Sequence, residues 1–191
     1  VEGIGSPGIP CVTKNPKAFV HNGNQMNERI HAYGAKIFLQ MTANVGRSTM
    51  PGMVQNYIAP SVQENRFDPS LLHREMTKEE IRQYTGDFVK GAVIAKRAGF
   101  DGVEIHAVHE GYLLDQFAIA LYNHREDEYG GSLETRLRFA TDIVRGIKQA
   151  CGPDFPVSLR FSLKSCMKGL RRGALPGETY QEAGRDIEEG I

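Results

Sequence analysis

Short apolar runs alternate with helical stretches of more than a dozen residues along this chain, and this alternation constrains the fold more than any other feature. The runs lie at 36–41 ("KIFLQM"), 100–108 ("FDGVEIHAV") and 155–162 ("FPVSLRFS"). Each is bounded by polar or glycine-containing sequence, which predicts a strand. Strands that are joined through long helices are parallel and connected by right-handed crossovers. The sequence therefore predicts an α/β fold.

The stretches between the runs carry helix signals of their own. Thr77 and Glu80 have the spacing of a capping box, and Gly99 ends the helix that follows. That helix has one apolar face, formed by Ile81, Tyr84, Phe88, Ala92 and Ala95. A second long helix is predicted from Ser132 to near Gly152, with an apolar face of Leu133, Leu137, Ala140, Val144 and Ile147.

The remaining segments are predicted from their glycine, proline and polar content. A short helix is expected over 24–35, and a third long helix begins in 177–190 ("GETYQEAGRDIEEG"). Residues 1–23 and 42–75 are expected to be irregular. A connection as long as 42–75 is typical of a binding loop or a lid.

Two architectures fit alternating strands and helices, an open doubly wound sheet and a barrel. No GxGxxG sequence follows any predicted strand, which weakens the dinucleotide-binding open sheet. Long loops after the first two strands favour a (β/α)8 barrel, in which the chemistry lies on those loops. Because only three to four of eight units are present, we expect a partial (β/α)8 TIM barrel.

Composition limits the partners of the chain. The 191 residues include 23 basic and 23 acidic side chains, so neither a nucleic acid nor a membrane surface is expected as a partner. Cys11, Cys151 and Cys166 form no CxxC pair, so neither a metal site nor a disulfide framework is expected. We therefore expect a soluble, cytoplasmic globular protein. A small-molecule substrate is expected from the resemblance described below, and homo-oligomerisation is left open.

Three groups of polar side chains lie where predicted strands end: Gln40, the cluster from His106 to Tyr112, and Arg160. In a barrel they would project toward one mouth. An amide can bind the edge of a heterocycle, a guanidinium can stabilise an anionic ring, imidazoles can polarise a carbonyl, and a phenol can deliver a proton. Each also has a structural alternative, which for Arg160 is an ion pair with Asp115 or Glu104.

Two longer motifs carry a family resemblance. "GFDGVEIHAVHEGYLLDQF" followed by "NHREDEYGGSLETRLRF" resembles the old yellow enzyme class of flavin-dependent ene-reductases. "HAYGAKIFLQ", "HAVHEGYLLDQF" and "FPVSLRFS" are most similar to the 2-enoate reductases within that class. The resemblance covers essentially all 191 residues, and it implies that the chain is an internal piece of one FMN-binding TIM-barrel domain, roughly strands 3 to 5 with their helices and loops.

The resemblance also implies roles for individual residues. Gln40 matches the glutamine that binds the flavin pyrimidine ring, and Arg160 matches an arginine near flavin N1. His106 and His109 match the pair that binds the activating group of the substrate. Tyr112 matches the proton donor. It lies six residues after His106, one more than in most of the class, so the second substrate ligand is either His109 or Glu110.

The implied activity is reduction of the C=C bond of α,β-unsaturated carboxylates or enones by FMN, with NAD(P)H as the electron donor. The resemblance places a 4Fe–4S cluster and FAD outside this segment. Three alternatives remain open: a 2,4-dienoyl-CoA or steroid-type reductase of the same class, a non-catalytic flavin-binding barrel, and an isomerase or aldolase barrel. The last needs a lysine or paired carboxylates at the strand ends, and the predicted strands offer neither.

The segment "NHREDEYGGSLETR" is rich in polar residues, yet a scaffold role is the stronger interpretation. Gly130 and Gly131 predict a tight turn, and Ser132 is placed to cap the next helix. Arg125 and Asp127 are expected to pair locally.

Overall fold

The computed structural model describes residues 12–109 and 112–191. In chain order the helices are α1 (Pro16–His31), α2 (Lys78–Arg97), α3 (Leu113–Ala118), α4 (Leu133–Arg136), α5 (Arg138–Cys151) and α6 (Ile187–Gly190). The strands are β1 (Phe38–Thr42), β2 (Ile58–Ala59), β3 (Gln63–Glu64), β4 (Leu72–Glu75), β5 (Gly102–His106), β6 (Val157–Arg160), β7 (Met167–Gly169) and β8 (Arg172–Gly173).

The chain divides into two compact units. The first contains the described residues through Thr42, together with Lys78–His106 and Thr141–Leu159. The second contains Ala43–Thr77, Ala107–Ala140 and Arg160–Ile191. Nearly all of the three predicted strands therefore lie in the first unit, and most of the segments that follow them lie in the second.

The main sheet has the strand order β1-β5-β6. β1 and β5 are parallel, with Phe38 opposite Gly102 and Thr42 opposite His106. In the central strand Val103 and Ile105 are fully buried on one face, and Gly102 and His106 are buried on the other, as expected for a strand covered on both faces. The three predicted strands are therefore confirmed, although each is shorter than the sequence suggested.

Helix α2 packs against α1, β1 and β5. It begins at Lys78, directly after Thr77, and its predicted apolar face is the buried one: Ile81, Tyr84, Phe88, Ala92 and Ala95. The helical period of the apolar residues was sufficient to predict the buried face of α2, because one face of this helix packs against the core.

Asp101 joins the start of β1 to the start of β5. Its carboxylate accepts hydrogen bonds from the backbone N–H of Ile37 at 2.9 Å and from Lys36 Nζ at 2.9 Å, and it pairs with His31 Nε2 at 2.8 Å. The Ile37 N–H, followed by the Lys36 and His31 side chains, holds the pKa of Asp101 well below its ordinary value of 3.8. This carboxylate therefore holds the end of α1 next to the starts of β1 and β5.

Two helix predictions need correction. Residues 16–23 are helical and not irregular, because Pro16 stands at the helix start and the Asn15 side chain accepts a hydrogen bond from Ala18 N. The helix predicted from Ser132 is divided at Leu137 into α4 and α5. The division changes the buried face of α5, which is centred on Phe139, Ala140, Ile143 and Ile147, while Leu133, Leu137 and Val144 are half-buried.

In the second unit the segment 42–75 is more ordered than a loop. It contains a 3-10 turn at Gly46–Ser48 and a small sheet in the order β2-β4-β3. His73 of β4 is fully buried, with Nδ1 at 3.1 Å from the Ile58 carbonyl and Nε2 at 2.9 Å from the Asn65 amide nitrogen. Nδ1 therefore donates and Nε2 accepts, so the imidazole is neutral, and burial lowers its pKa below the ordinary 6.5.

The prediction of a third long helix in 177–190 is wrong. Only Ile187–Gly190 is helical, and the antiparallel strands β7 and β8 precede it. The Glu182 carboxylate accepts hydrogen bonds from the backbone N–H groups of Cys166, Met167 and Gly184. Ala183 N donates to the carbonyl of Met167. The N–H groups of Ala183 and Gly184, which a continuous helix would use for its own hydrogen bonds, are therefore engaged elsewhere.

Among the helices of residues 12–109 and 112–191, none combines the length and the apolar character needed to span a membrane.

Candidate active site

A polar row crosses the main sheet in the first unit. Gln40 stands opposite Glu104 in the register of β1 and β5, and its Nε2 donates to Glu104 Oε1 at 2.5 Å. Ser158 Oγ of β6 donates to the other carboxylate oxygen at 3.4 Å. Gln40 is exposed and Glu104 is half-buried. Because an ionised carboxylate can only accept hydrogen bonds, Glu104 binds the Gln40 amide through its nitrogen and not through its oxygen.

His106 is the last residue of β5 and lies opposite Thr42. Its side chain is buried, with 5% of the residue exposed. The two residues before it that face the core, Val103 and Ile105, are fully buried, so the strand fixes the backbone from which the imidazole projects.

His109 and Tyr112 lie together in the second unit. Their ring centroids are 6.3 Å apart, and the ring planes are inclined by 53°. His109 is exposed and has a φ of 72°, in the left-handed region that few residues other than glycine adopt. Glu110, the other candidate for the second substrate ligand, lies outside the described residues, so the choice between His109 and Glu110 stays open.

Tyr112 is held by the short helix that follows it. It is the N-cap residue of α3, whose six residues are all buried. Gln116 N donates to the Tyr112 carbonyl at 3.0 Å, and Leu113 N donates to the Asn44 carbonyl at 2.9 Å. The phenol is therefore attached to a backbone that packing and hydrogen bonds fix, which a proton donor requires.

Helix α3 is itself anchored by a buried ion pair. Arg185 Nη2 lies 2.9 Å from Asp115 Oδ1, and the two side chains are only 3% and 2% exposed. Arg185 Nη1 also donates to the Ser162 carbonyl at 2.8 Å. The alternative in which Asp115 or Glu104 would pair with Arg160 is therefore wrong, because Asp115 pairs with Arg185 and Glu104 binds Gln40 and Ser158.

Arg160 is the last residue of β6, and its carbonyl accepts a hydrogen bond from Ala107 N at 2.9 Å. Its side chain is exposed. Over residues 12–109 and 112–191 the guanidinium makes no ion pair and no hydrogen bond. A guanidinium without a counterion at the end of a strand is suited to an anionic ligand.

The scaffold interpretation of 123–136 is confirmed. Arg125 makes two hydrogen bonds to Asp127, at 3.0 and 2.6 Å, and Asn123 Nδ2 donates to the carbonyls of Phe117 and Tyr129. Arg125 Nη1 also donates to the carbonyls of Pro60 at 3.0 Å and Met76 at 2.7 Å, two partners that were not predicted. No local pattern marks these distant partners.

The chain matches the NADH:flavin oxidoreductase / NADH oxidase family over residues 2–183. The chain belongs to this family. A cinnamate reductase from Clostridium sporogenes is 58% identical over 192 aligned residues, which cover 100% of this chain and 29% of that protein. An NADH oxidase from Thermoanaerobacter brockii is 42% identical over 84% of this chain and 25% of its own length.

Solved structures agree with this assignment to the flavin oxidoreductases. An Old Yellow Enzyme from Pichia sp. AKU4542 matches with a TM-score of 0.68 and 32% identity over 84% of this chain and 44% of that one. A histamine dehydrogenase from Rhizobium sp. 4-9 matches with a TM-score of 0.72 and 29% identity over 89% of this chain and 23% of that one. The predicted resemblance to the old yellow enzyme class and the α/β fold of a partial (β/α)8 barrel are confirmed.

The polar groups of this chain fit the flavin of this oxidoreductase family. The Gln40 amide gives one N–H to Glu104, which leaves a second N–H and a carbonyl oxygen for the alternating acceptors and donors of a pyrimidine ring. Arg160 supplies an exposed positive charge. Gln40 in the first unit and Arg160 in the second therefore each carry a group that suits a flavin.

Proposed function

We propose that the protein is an FMN-dependent oxidoreductase that reduces the C=C bond of α,β-unsaturated carboxylates or enones, with electrons from NAD(P)H. The observation that carries the proposal is the pairing of an exposed imidazole with a phenol at the start of a buried helix, His109 beside Tyr112. Membership of the flavin oxidoreductase family and the identity to a cinnamate reductase support it.

Each polar group has a task in this reaction. When bound, reduced FMN supplies a hydride to the β-carbon of the alkene. His106 and either His109 or Glu110 would hydrogen-bond the activating carbonyl or carboxylate, which draws electron density from the β-carbon. Tyr112 would deliver a proton to the α-carbon. Gln40 would orient the pyrimidine ring, and Arg160 would stabilise the negative charge that collects near N1 on reduction.

The proposal is tested with the full-length protein under anaerobic conditions. We expect a flavin absorbance spectrum that bleaches when NADH or NADPH is added and returns when cinnamate or a simple 2-enoate follows. An enone and a dienoyl-CoA thioester, tested in parallel, define the substrate class. A protein that purifies with flavin but is reoxidised by none of the alkenes would be a non-catalytic relative.

Replacement of Tyr112 by Phe tests the proton donor separately. General acids contribute about 10²–10⁴-fold to rate, so reoxidation by the alkene should slow by about that factor. Reduction of the flavin by NAD(P)H should stay within about twofold, because no proton from Tyr112 enters that half-reaction. Tyr33→Phe is the matched control, since Tyr33 is 90% exposed. Equal losses in both half-reactions would remove the role assigned to Tyr112.

A further inference from the structure

Three arginines line a cavity of about 260 Å³ in the second unit: Arg66, Arg171 and Arg172. Another part of its wall is formed by Phe67, Leu170 and Cys166. We propose that this cavity, here called the arginine pocket, binds a small molecule that carries an oxyanion, a carboxylate or a phosphate, beside an apolar group. The residues predicted to contact flavin or substrate are not among its lining, so this inference does not depend on the proposed function.

Three arginines line the arginine pocket, and three carboxylates lie near it: Glu64, Asp68 and Glu182, the last of which accepts hydrogen bonds from the Cys166 and Met167 N–H groups. Arg171 Nη2 pairs with Glu64 at 2.8 Å, and Asp68, the other carboxylate near Arg171, is engaged by the Ser70 hydroxyl at 2.6 Å. Arg172 is exposed, and within the described part of the chain its guanidinium makes no hydrogen bond or ion pair. Arg172 therefore presents a guanidinium that a bound anion can pair with.

The walls of the arginine pocket are fixed in the absence of a ligand. Arg171 Nη2 donates to the Asn65 carbonyl at 2.9 Å, and Arg66 N donates to the Arg47 carbonyl at 2.9 Å. The fully buried Arg47 also donates from Nη1 to the Leu170 carbonyl at 3.4 Å. The loop that carries Arg66 and the turn between β7 and β8 are therefore tied together. A preorganised pocket loses little entropy when it binds an anion.

The lining sets the chemical class of the ligand. Planar guanidinium groups bind carboxylate and phosphate oxygens in pairs. Phe67, which is 58% exposed, offers an apolar surface next to them. The cavity volume of about 260 Å³ is below the roughly 300 Å³ of the smallest pockets that hold drug-sized ligands. A small organic acid or a phosphate ester therefore fits better than a large molecule.

Cys166 provides a direct probe of the arginine pocket, because it lines the cavity and is exposed. The full-length protein is alkylated with anionic iodoacetate or with neutral iodoacetamide, and the two rates at Cys166 are measured by mass spectrometry of its peptide. The iodoacetate-to-iodoacetamide ratio is then divided by the ratio for a free peptide of the same sequence. This normalisation removes the intrinsic difference between the reagents.

We expect the normalised ratio to exceed one and to fall about threefold in Arg172→Gln, which is the order of magnitude for the loss of one nearby unit charge in water. The control variant is Arg145→Gln, because the Arg145 side chain is 77% exposed and lies in the first unit. This variant should leave the normalised ratio unchanged. Inorganic phosphate or a short-chain carboxylate should slow alkylation by iodoacetamide, and the better protector identifies a phosphate or a carboxylate ligand. A ratio equal to that of the peptide, or no protection by either anion, would overturn the proposal.

Discussion

The buried ion pair between Asp115 and Arg185 should be the most sensitive point of the second unit. Arg185→Met leaves the Asp115 carboxylate, 2% exposed, without this cation, and it also removes the hydrogen bond from Nη1 to the Ser162 carbonyl. Removal of one partner of a buried pair costs about 3–5 kcal/mol. We expect the unfolding transition of the region that contains this helix to move to lower temperature, by about 2–4 °C per kcal/mol if that region unfolds as a domain of 150–250 residues.

The loss should be transmitted to Tyr112, because Asp115 belongs to the helix that Tyr112 caps. Thermal unfolding of the full-length protein, followed by far-UV circular dichroism and by protease sensitivity of the 160–191 region, measures the loss of stability. The rate of flavin reoxidation by the alkene, measured well below the melting temperature, reports on the position of Tyr112.

A double variant separates the pair from general packing damage. Asp115→Asn with Arg185→Met removes both charges and should be less destabilised than the sum of the two single variants, by about 0.5–3 kcal/mol of coupling. If Arg185→Met unfolds within about 1 kcal/mol of the wild type, or if the two single effects simply add, the pair does not hold this helix.

Three further outcomes are expected. Gly130→Ala should destabilise the protein, since the added Cβ would collide with the Arg125 carbonyl, and the urea midpoint measures this. The pKa of His73 is lowered in the folded protein, so its contribution to stability is complete above pH 6.5 and is lost as pH falls below that value. In His73→Gln, the free energy of unfolding, measured in urea at several pH values, should therefore fall less steeply toward acid pH. Glu104→Leu should weaken FMN binding, measured by flavin fluorescence, because the Gln40 amide loses its acceptor, whereas Glu104→Gln should weaken it less.

The sequence predicted the parts of the fold that depend on local patterns. Strand β5 was recognisable because Val103 and Ile105 occupy a short apolar run after a glycine, and α2 because its apolar residues keep one helical face. Helix α1 was missed at its start although Asn15 and Pro16 form an N-terminal signal, because the glycine content of the preceding residues dominated the prediction.

The errors arise where distant contacts override local preference. The 177–190 segment has helical composition, but Glu182 accepts amide hydrogens from the strand region around Cys166 instead. The same limit applies to the candidate site. Residue types at the strand ends could be predicted, but the ion pair of Asp115 with Arg185 joins positions 70 residues apart in sequence, and nothing near either residue marks it.

Arg125 has a consequence for the order in which the protein forms. Its guanidinium completes hydrogen bonds to carbonyls 65 and 49 residues earlier, at Pro60 and Met76. Contacts of such sequence separation close late, because the entropy of the intervening chain is lost before they form. On the ribosome, the Pro60 and Met76 carbonyls therefore lack this donor until residue 125 emerges, and until then they bind solvent. A slow synthesis step between these positions would prolong exposure of the 60–76 segment to proteases and chaperones.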